Sequence, residues 1–411
     1  MAGSHDIKGH DLRDHILGRL LVDLRPHLNG EPPQAVVAIP AKDEADEIGR
    51  CLDALAAQQG IDPSGFGVVL LVNNSSDDSA ERARAMADML PYRLAVLQAD
   101  LPSEIGHAGT ARRLAMDVAA DWLRAGRVGF KAILTTDADT RVAPGWMAAT
   151  ERALAQGADA VAGAVALDPD DSATLTPQLR ERGLREAAYE AILIEIDSLL
   201  DPIPHDPWPR HDTASGASLA VTLDAYEGIG GVPPVPLGED RALAQALVAS
   251  GWRLRHDPQV RVVTSGRLFG RATGGAADTI RLRNEDPAAR CDPRLEPLGT
   301  AILRARWRGR LRQAYQGTGR LAVGEVVAAL AVPSFMVVHA LRAPNFAACW
   351  RQIENTSPLL APCPLHPAEL AEQIMAGHAA LLTLRTKVLL KELGAARPDD
   401  NSPPALAAAP A

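Results

Sequence analysis

The sequence predicts an α/β protein with a mostly parallel sheet covered by helices on both faces. Three observations carry that expectation. Short apolar runs lack the alternation of a half-exposed sheet, amphipathic helical stripes separate them, and polar or proline-containing stretches punctuate each junction. Val36–Ile39 reads as the first strand, ended by Pro40. Ile48, Cys51, Leu52 and Leu55 follow at i, i+3, i+4 and i+7, one face of a helix. Val68–Val72 is a second strand, closed by Asn73 to Asp78. Asp78 with Glu81 resembles a capping box, and Ala83, Met86, Ala87 and Leu90 extend the stripe until Pro91. Leu94–Leu97 is a third strand, Ala111, Leu114, Ala115, Val118 and Trp122 a third helical stripe, and Ala132–Leu134 a fourth strand.

Length and composition bound the rest. A chain of 411 residues exceeds the usual single domain, and 47% hydrophobic with 23% charged residues is a globular balance. The expected division is an amphipathic helical extension over 1–32 (Ile16, Leu17, Leu20, Leu21, Leu24), an α/β domain over 33–280, a helical region over 281–397 and a disordered Pro/Ala-rich tail over 398–411. A net charge of −9 argues against nucleic acid as the partner. The four cysteines form no CxxC pair, which fits a reducing cytoplasm, and the polar N-terminus does not read as a signal peptide. Val326–Leu341 is the least polar long run, but Pro333 and His339 interrupt it and it is short for a membrane span. Arg304, Arg306, Arg308, Arg310 and Arg312 read as a solvated or partner-facing helix, with an anionic-acceptor or peripheral membrane-surface site as the alternative.

Ligands of parallel α/β sheets bind beyond the carboxyl ends of the strands. Three polar clusters fall there: Lys42-Asp43-Glu44, Asn73 to Asp78, and Asp137-Ala138-Asp139. Asp-x-Asp alone is weak evidence, since 32 Asp in 411 residues give roughly two to three by chance. Asp168/Asp170, in a Pro-containing polar stretch, reads as a solvated turn. Asp137/Asp139 sits at a strand mouth, where two carboxylates repel unless a cation lies between them; hard oxygens suit Mg²⁺ or Mn²⁺, with a diphosphate completing the shell.

With these motifs the chain resembles the glycosyltransferase family 2 enzymes of the GT-A fold, over about residues 34–280. The matching segments are Val37 to Glu44, Val72 to Asp78, Asp137 to Asp139, and Gly230-Gly231 through Glu239-Asp240, in the family's order. The resemblance implies a Rossmann-like GT-A domain and a metal-dependent hexosyl transfer from a nucleotide-sugar donor to an acceptor hydroxyl. It implies donor contacts at Pro40, Asp43, Glu44, Asn74, Asp77, Asp137 and the Gly106–Arg113 segment (Gly109, Arg112), with one of Arg112 and Arg113 an ordinary surface residue. It further implies an acceptor surface at Gly216, Ala217 and Gly231, and a base at Asp240 beside Glu239, hence inversion. The family's metal-binding His after the last strand has no counterpart here; Ser265, His256 or water are the candidates beside Asp137 and Asp139, and His256 reads better as structural. The glycine-rich stretch 266–275, with Arg267 and Arg271, reads as a lid over the phosphates, or as a plain loop. Asp43 has a second reading as a helix N-cap. Rival functions are a retaining transferase of the same fold, a nucleotidyltransferase, and a sugar-nucleotide-binding protein without transfer. The C-terminal helices are expected to cap the acceptor side or to form a homodimer.

Overall fold

A computed structural model describes residues 3–126, 131–266 and 276–395. Eight strands form one mixed sheet: β1 Ala35–Ala41, β2 Phe66–Asn73, β3 Arg93–Ala99, β4 Ala132–Thr135, β5 Thr140–Val142, β6 Ala160–Leu167, β7 Leu219–Thr222 and β8 Leu254–Thr264. Their spatial order is β3-β2-β1-β4-β7-β6-β8-β5. The first four strands are parallel neighbours, as the apolar runs predict. β7 is antiparallel to both β4 and β6, and β5 to β8, so the sheet is more mixed than expected. β1 continues through Pro40 to Ala41 instead of ending before the proline. The missing N–H is tolerated because β4 stops opposite Ala38, so that side of Pro40 has no strand to bond.

Two cores sandwich the sheet. On one face Val36, Ala38, Val69 and Leu71 pack against the helix Ala108–Arg124, which carries the predicted stripe Ala111, Leu114, Ala115, Val118 and Trp122. The N-terminal helix Gly3–Leu24 joins this layer through Ile16, Leu20 and Leu24. On the other face Val37, Ile39, Val68 and Leu70 meet the helices Ile48–Ala56 and Trp146–Ala155. The helix after β2 is shorter than its stripe, spanning Ser79–Met86 before a 3₁₀ turn. Asp78 does not cap it; its carboxylate pairs with Arg82.

The helical layer begins earlier than residue 281. Helix Pro177–Leu200, inserted between β6 and β7, packs against Leu298–Tyr315 and Leu370–Ala395. The arginine run lies on Leu298–Tyr315; Arg304, Arg308 and Arg312 serve internal ion pairs, which corrects the solvated-face and anion-site readings for those three, while Arg306 is exposed and Arg310 pairs at the surface. Arg308 pairs with Asp197 and Asp201, and Arg312 forms a two-pronged contact with Asp201 at 2.7 and 2.8 Å. Arg304 grips Glu296 and Glu354, and Arg310 pairs with Glu325. Arg308 and Arg312 are four residues apart, on one helical face, and Asp197 and Asp201 share the same spacing at the end of the opposing helix, so the two ladders match. Val326, Leu330, Val332 and Val337 are spent on a core with Trp307, Leu311 and Trp350. Among the described residues no single helix is long and apolar enough to cross a membrane; one bent pair, Val323–Leu330 with Ser334–Ala340, passes by composition with a 116° break.

Asp201 is 1% exposed. Burial alone would raise its pKa, but the Arg312 and Arg308 guanidinium groups outweigh burial and hold it below the usual value. A depressed carboxylate contributes stability above its unfolded pKa of about 3.9 and loses it as pH falls through the folded value. Asp201→Asn is therefore expected to cost about 3–5 kcal/mol at pH 7, because the partly buried Arg312 loses its counter-charge and Arg308 is left with Asp197 alone. Urea denaturation of both proteins checks this: the gap should be full at pH 7 and should narrow as pH falls below about 4.

Candidate active site

The ends of β1 and β2 are stapled to each other. Asp43 lies at φ 53° and Asn74 at φ 48°, left-handed positions that Asp and Asn tolerate better than most residues. The Asp43 carboxylate accepts from the Ser76 amide (2.7 Å) and hydroxyl (3.0 Å), and its own amide donates to Ser75 Oγ. It is not a helix N-cap, since the following helix starts at Ile48 after Glu47. Asp77 accepts from the Ala45 amide at 3.0 Å and from Ser79, while the Glu44 amide donates to Ser79 Oγ. The Asn74 side chain brackets Leu101, donating to its carbonyl and accepting from its amide. Four of the expected donor residues thus form one cross-braced ledge.

The Asp-x-Asp turn stands beside it. Ala138 is buried among core side chains, which turns Asp137 and Asp139 outward to partial exposure. Below them the Cys51 thiol donates to the Asp137 carbonyl at 3.6 Å; burial, and then the charges of Asp139 and Asp137, push that thiol's pKa far up and keep it protonated. Asp139 reaches the end of β8: its Oδ1 accepts from Thr264 Oγ1 at 3.4 Å, and its carbonyl from the Ser265 amide at 3.3 Å. The place after the last strand therefore does meet Asp139, through the Thr264 hydroxyl. The Ser265 hydroxyl donates to Asp171 at 2.9 Å, a contact that uses its proton and not its oxygen lone pairs. Asp171 also accepts from the Gly266 amide, and Asp168 pairs with Arg141, so the second acidic stretch braces the end of β8 and is not a purely solvated turn.

Arg112 departs furthest from expectation. It is 5% exposed and spends four of its five N–H groups inside the protein. Nε donates to Glu239 at 3.0 Å, Nη1 to Thr135 Oγ1 at 2.9 Å and to the Gly216 carbonyl at 3.1 Å, and Nη2 to Asp137 at 2.7 Å. Burial opposes its charge; Asp137 and Glu239 more than offset that and raise its pKa. Arg113 is no ordinary surface residue either, because it holds the carbonyls of Gly230 and Val232. Gly109 is occupied as well: an added Cβ would lie 2.6 Å from the Val235 carbonyl and 3.2 Å from Glu239 Cβ, so its missing side chain serves packing against the loop before Glu239.

Glu239 and Asp240 open the helix Glu239–Ala249 after Gly238 at φ 72°. Glu239 is buried on Arg112, a structural partner. Asp240 is half-buried, and its two oxygens accept from the Gly216 amide (2.9 Å) and the Arg241 amide (2.7 Å). The expected acceptor surface dissolves in part. Ala217 is 1% exposed with its carbonyl bonded to Thr136 Oγ1, and Gly231 packs into the cluster of Tyr226, Arg113 and Asp117. Gly216 remains at the site, as the link between Arg112 and Asp240. His256 pairs with Asp206 at 2.9 Å, a structural place. Arg267 and Arg271 lie outside the described residues.

The model of the glycosyltransferase-like family 2 matches residues 32–284, more than half of the chain and the whole of the sheet just described. The chain belongs to this family. No curated protein matches it in sequence. Among solved structures it is similar to a Pyrobaculum calidifontis mannosyltransferase in complex with GDP-mannose and Mn²⁺, at 16% identity over 95% of this chain and 96% of that one (TM-score 0.40). It is also similar to Staphylococcus aureus TarS 1–349 in complex with UDP-GlcNAc, at 13% identity over 78% and 91% (TM-score 0.41). Likenesses this distant carry no argument about donor or acceptor.

Proposed function

We propose that this family 2 glycosyltransferase moves a hexosyl group from a nucleotide-diphosphate sugar to an acceptor hydroxyl, with a divalent metal and with inversion. The observation that supports this best is the arrangement of carboxylates: Asp43, Glu44 and Asp77 at the ends of β1 and β2, Asp137 and Asp139 after β4, and Asp240 linked to the Asp137 side through Gly216 and Arg112.

The residues present fit a metal of the Mg²⁺ or Mn²⁺ kind. Such ions are commonly held by one or two carboxylates plus substrate phosphates. Asp139 and the partly exposed Asp137 offer those oxygens, and Thr264 beside Asp139 adds a neutral one. Among the described residues no three His, Cys, Asp or Glu side chains group into a protein cage, so the donor's phosphates would complete the shell. When bound, the ion offsets charge gathering on the departing diphosphate.

Asp240 takes the acceptor proton in this reading. Its two backbone donors fix the carboxylate plane while each oxygen keeps a lone pair for the incoming hydroxyl. Asp43, Asn74 and Asp77 hold the donor's nucleoside on their braced ledge. The test is release of nucleoside diphosphate from UDP-, GDP- and ADP-sugars. One nucleotide class should be turned over slowly by water and faster on adding a pool of hydroxylated acceptors. No release from any donor, with Mn²⁺ or Mg²⁺ present, would refute the proposal.

A further inference from the structure

We propose that Arg112 is a positioning residue that locks the donor-side carboxylate Asp137 and the acceptor-side pair Gly216–Asp240 into one register. The inference rests on the transferase reading above and assigns Arg112 a role other than contact with the diphosphate.

The guanidinium sits where the two halves of the site meet. One edge holds Asp137 at 2.7 Å, and Nη1 bridges Thr135 at the end of β4 to the Gly216 carbonyl at the start of the β7 segment. Gly216 then passes the constraint on, since its own amide donates to Asp240 at 2.9 Å. Nε reaches the same helix end a second way, through Glu239, the neighbour of Asp240. The fit is close: a Cβ on Gly216 would lie 2.3 Å from Nη2 and 2.4 Å from Cζ, so the arginine lies directly over that glycine. Gly109, one helical turn before Arg112, is pressed onto the Val235 carbonyl and Glu239, which fixes the arginine's own backbone against the same helix. Lysine would keep the charge but not the fork, because a single ammonium cannot reach Glu239, Thr135, Gly216 and Asp137 together.

Two variants of the full-length chain test this. Arg112→Lys is expected to lower kcat by roughly 10²-fold, the scale of a slightly misplaced reacting group, with donor Kd by calorimetry within about 3-fold of wild type. Without any ligand, the peptide containing Gly216 should exchange its amide hydrogens faster, while β2 stays protected. Thr135→Val is the second variant. Thr135 is 0% exposed and its hydroxyl accepts from Arg112, so this variant removes one arm of the Arg112 network without removing a group that could touch a substrate. It should fold and lower kcat by roughly 2–10-fold, the net worth of one hydrogen bond. A donor Kd weakened tenfold in Arg112→Lys, with exchange at Gly216 unchanged, overturns the proposal in favour of direct donor contact. Wild-type kcat and exchange in Thr135→Val overturn it too, even where Arg112→Lys does not fold. If the wild-type chain transfers from no donor, the transferase reading fails, while the exchange measurement still decides whether Arg112 holds Gly216.

Discussion

Asp240→Asn is expected to lower turnover by roughly 10²-fold or more, the scale of a lost general base, while donor affinity changes little. The geometry makes this substitution more than a change of charge. Both Asp240 oxygens accept backbone N–H groups, from Gly216 and Arg241. Asparagine has one oxygen, so its NH₂ must face one of those donors, and a stability cost of about 1–2 kcal/mol is expected besides. The two effects separate by measurement. A carboxylate needed only to hold Gly216 would give a variant with a lowered melting temperature and kcat within a few fold of wild type. A base gives a kcat loss far beyond the change in stability, and single-turnover kinetics at saturating donor read it directly.

Asp139→Ala carries the second large effect. Its carboxylate is partly exposed at the mouth of the strand, where it accepts a long bond from Thr264, and a rim carboxylate contributes little to the core, so the fold should survive at a cost under about 1 kcal/mol. Transfer should fall by roughly 10³-fold, and nucleotide-sugar affinity in Mn²⁺ should drop at least tenfold on this scale of metal stabilisation. Affinity in EDTA should be the same for variant and wild type. Asp137→Ala is a different experiment, because it also removes a partner of buried Arg112. Its activity loss will therefore mix the metal with the positioning network, and its melting temperature should fall where that of Asp139→Ala does not.

What could be read from the sequence follows the range of the forces involved. The strand ends carrying Asp43, Asp77 and Asp137 were legible because apolar runs and polar punctuation are local signals, and a parallel sheet brings such ends together. The inside of the site was not. Arg112 bonds to Glu239 across 127 residues and to Gly216 across 104, and nothing in either neighbourhood marks the pairing. The family resemblance places Gly109 on the donor and Gly231 on the acceptor; both instead approach protein atoms, a difference only the packed structure reveals. The arginine run was readable in principle. Arg308 and Arg312 repeat at the helical interval of Asp197 and Asp201, but the match needs the helix Pro177–Leu200, whose weak amphipathic signal hides it. Thr264 was missed because a hydroxyl beside an expected ligand position carries little weight until Asp139 is seen against it.

The most direct measurement is the melting temperature of the wild-type chain with UDP-, GDP- and ADP-sugars, each with Mn²⁺ and with EDTA. A ligand at about 100 times its Kd stabilises the folded state by about 2.7 kcal/mol, enough for a rise of several degrees. The carboxylate site described here predicts that rise for one nucleotide class, in Mn²⁺ only, and its loss in Asp139→Ala. An equal rise in EDTA, or no rise with any donor, would contradict it.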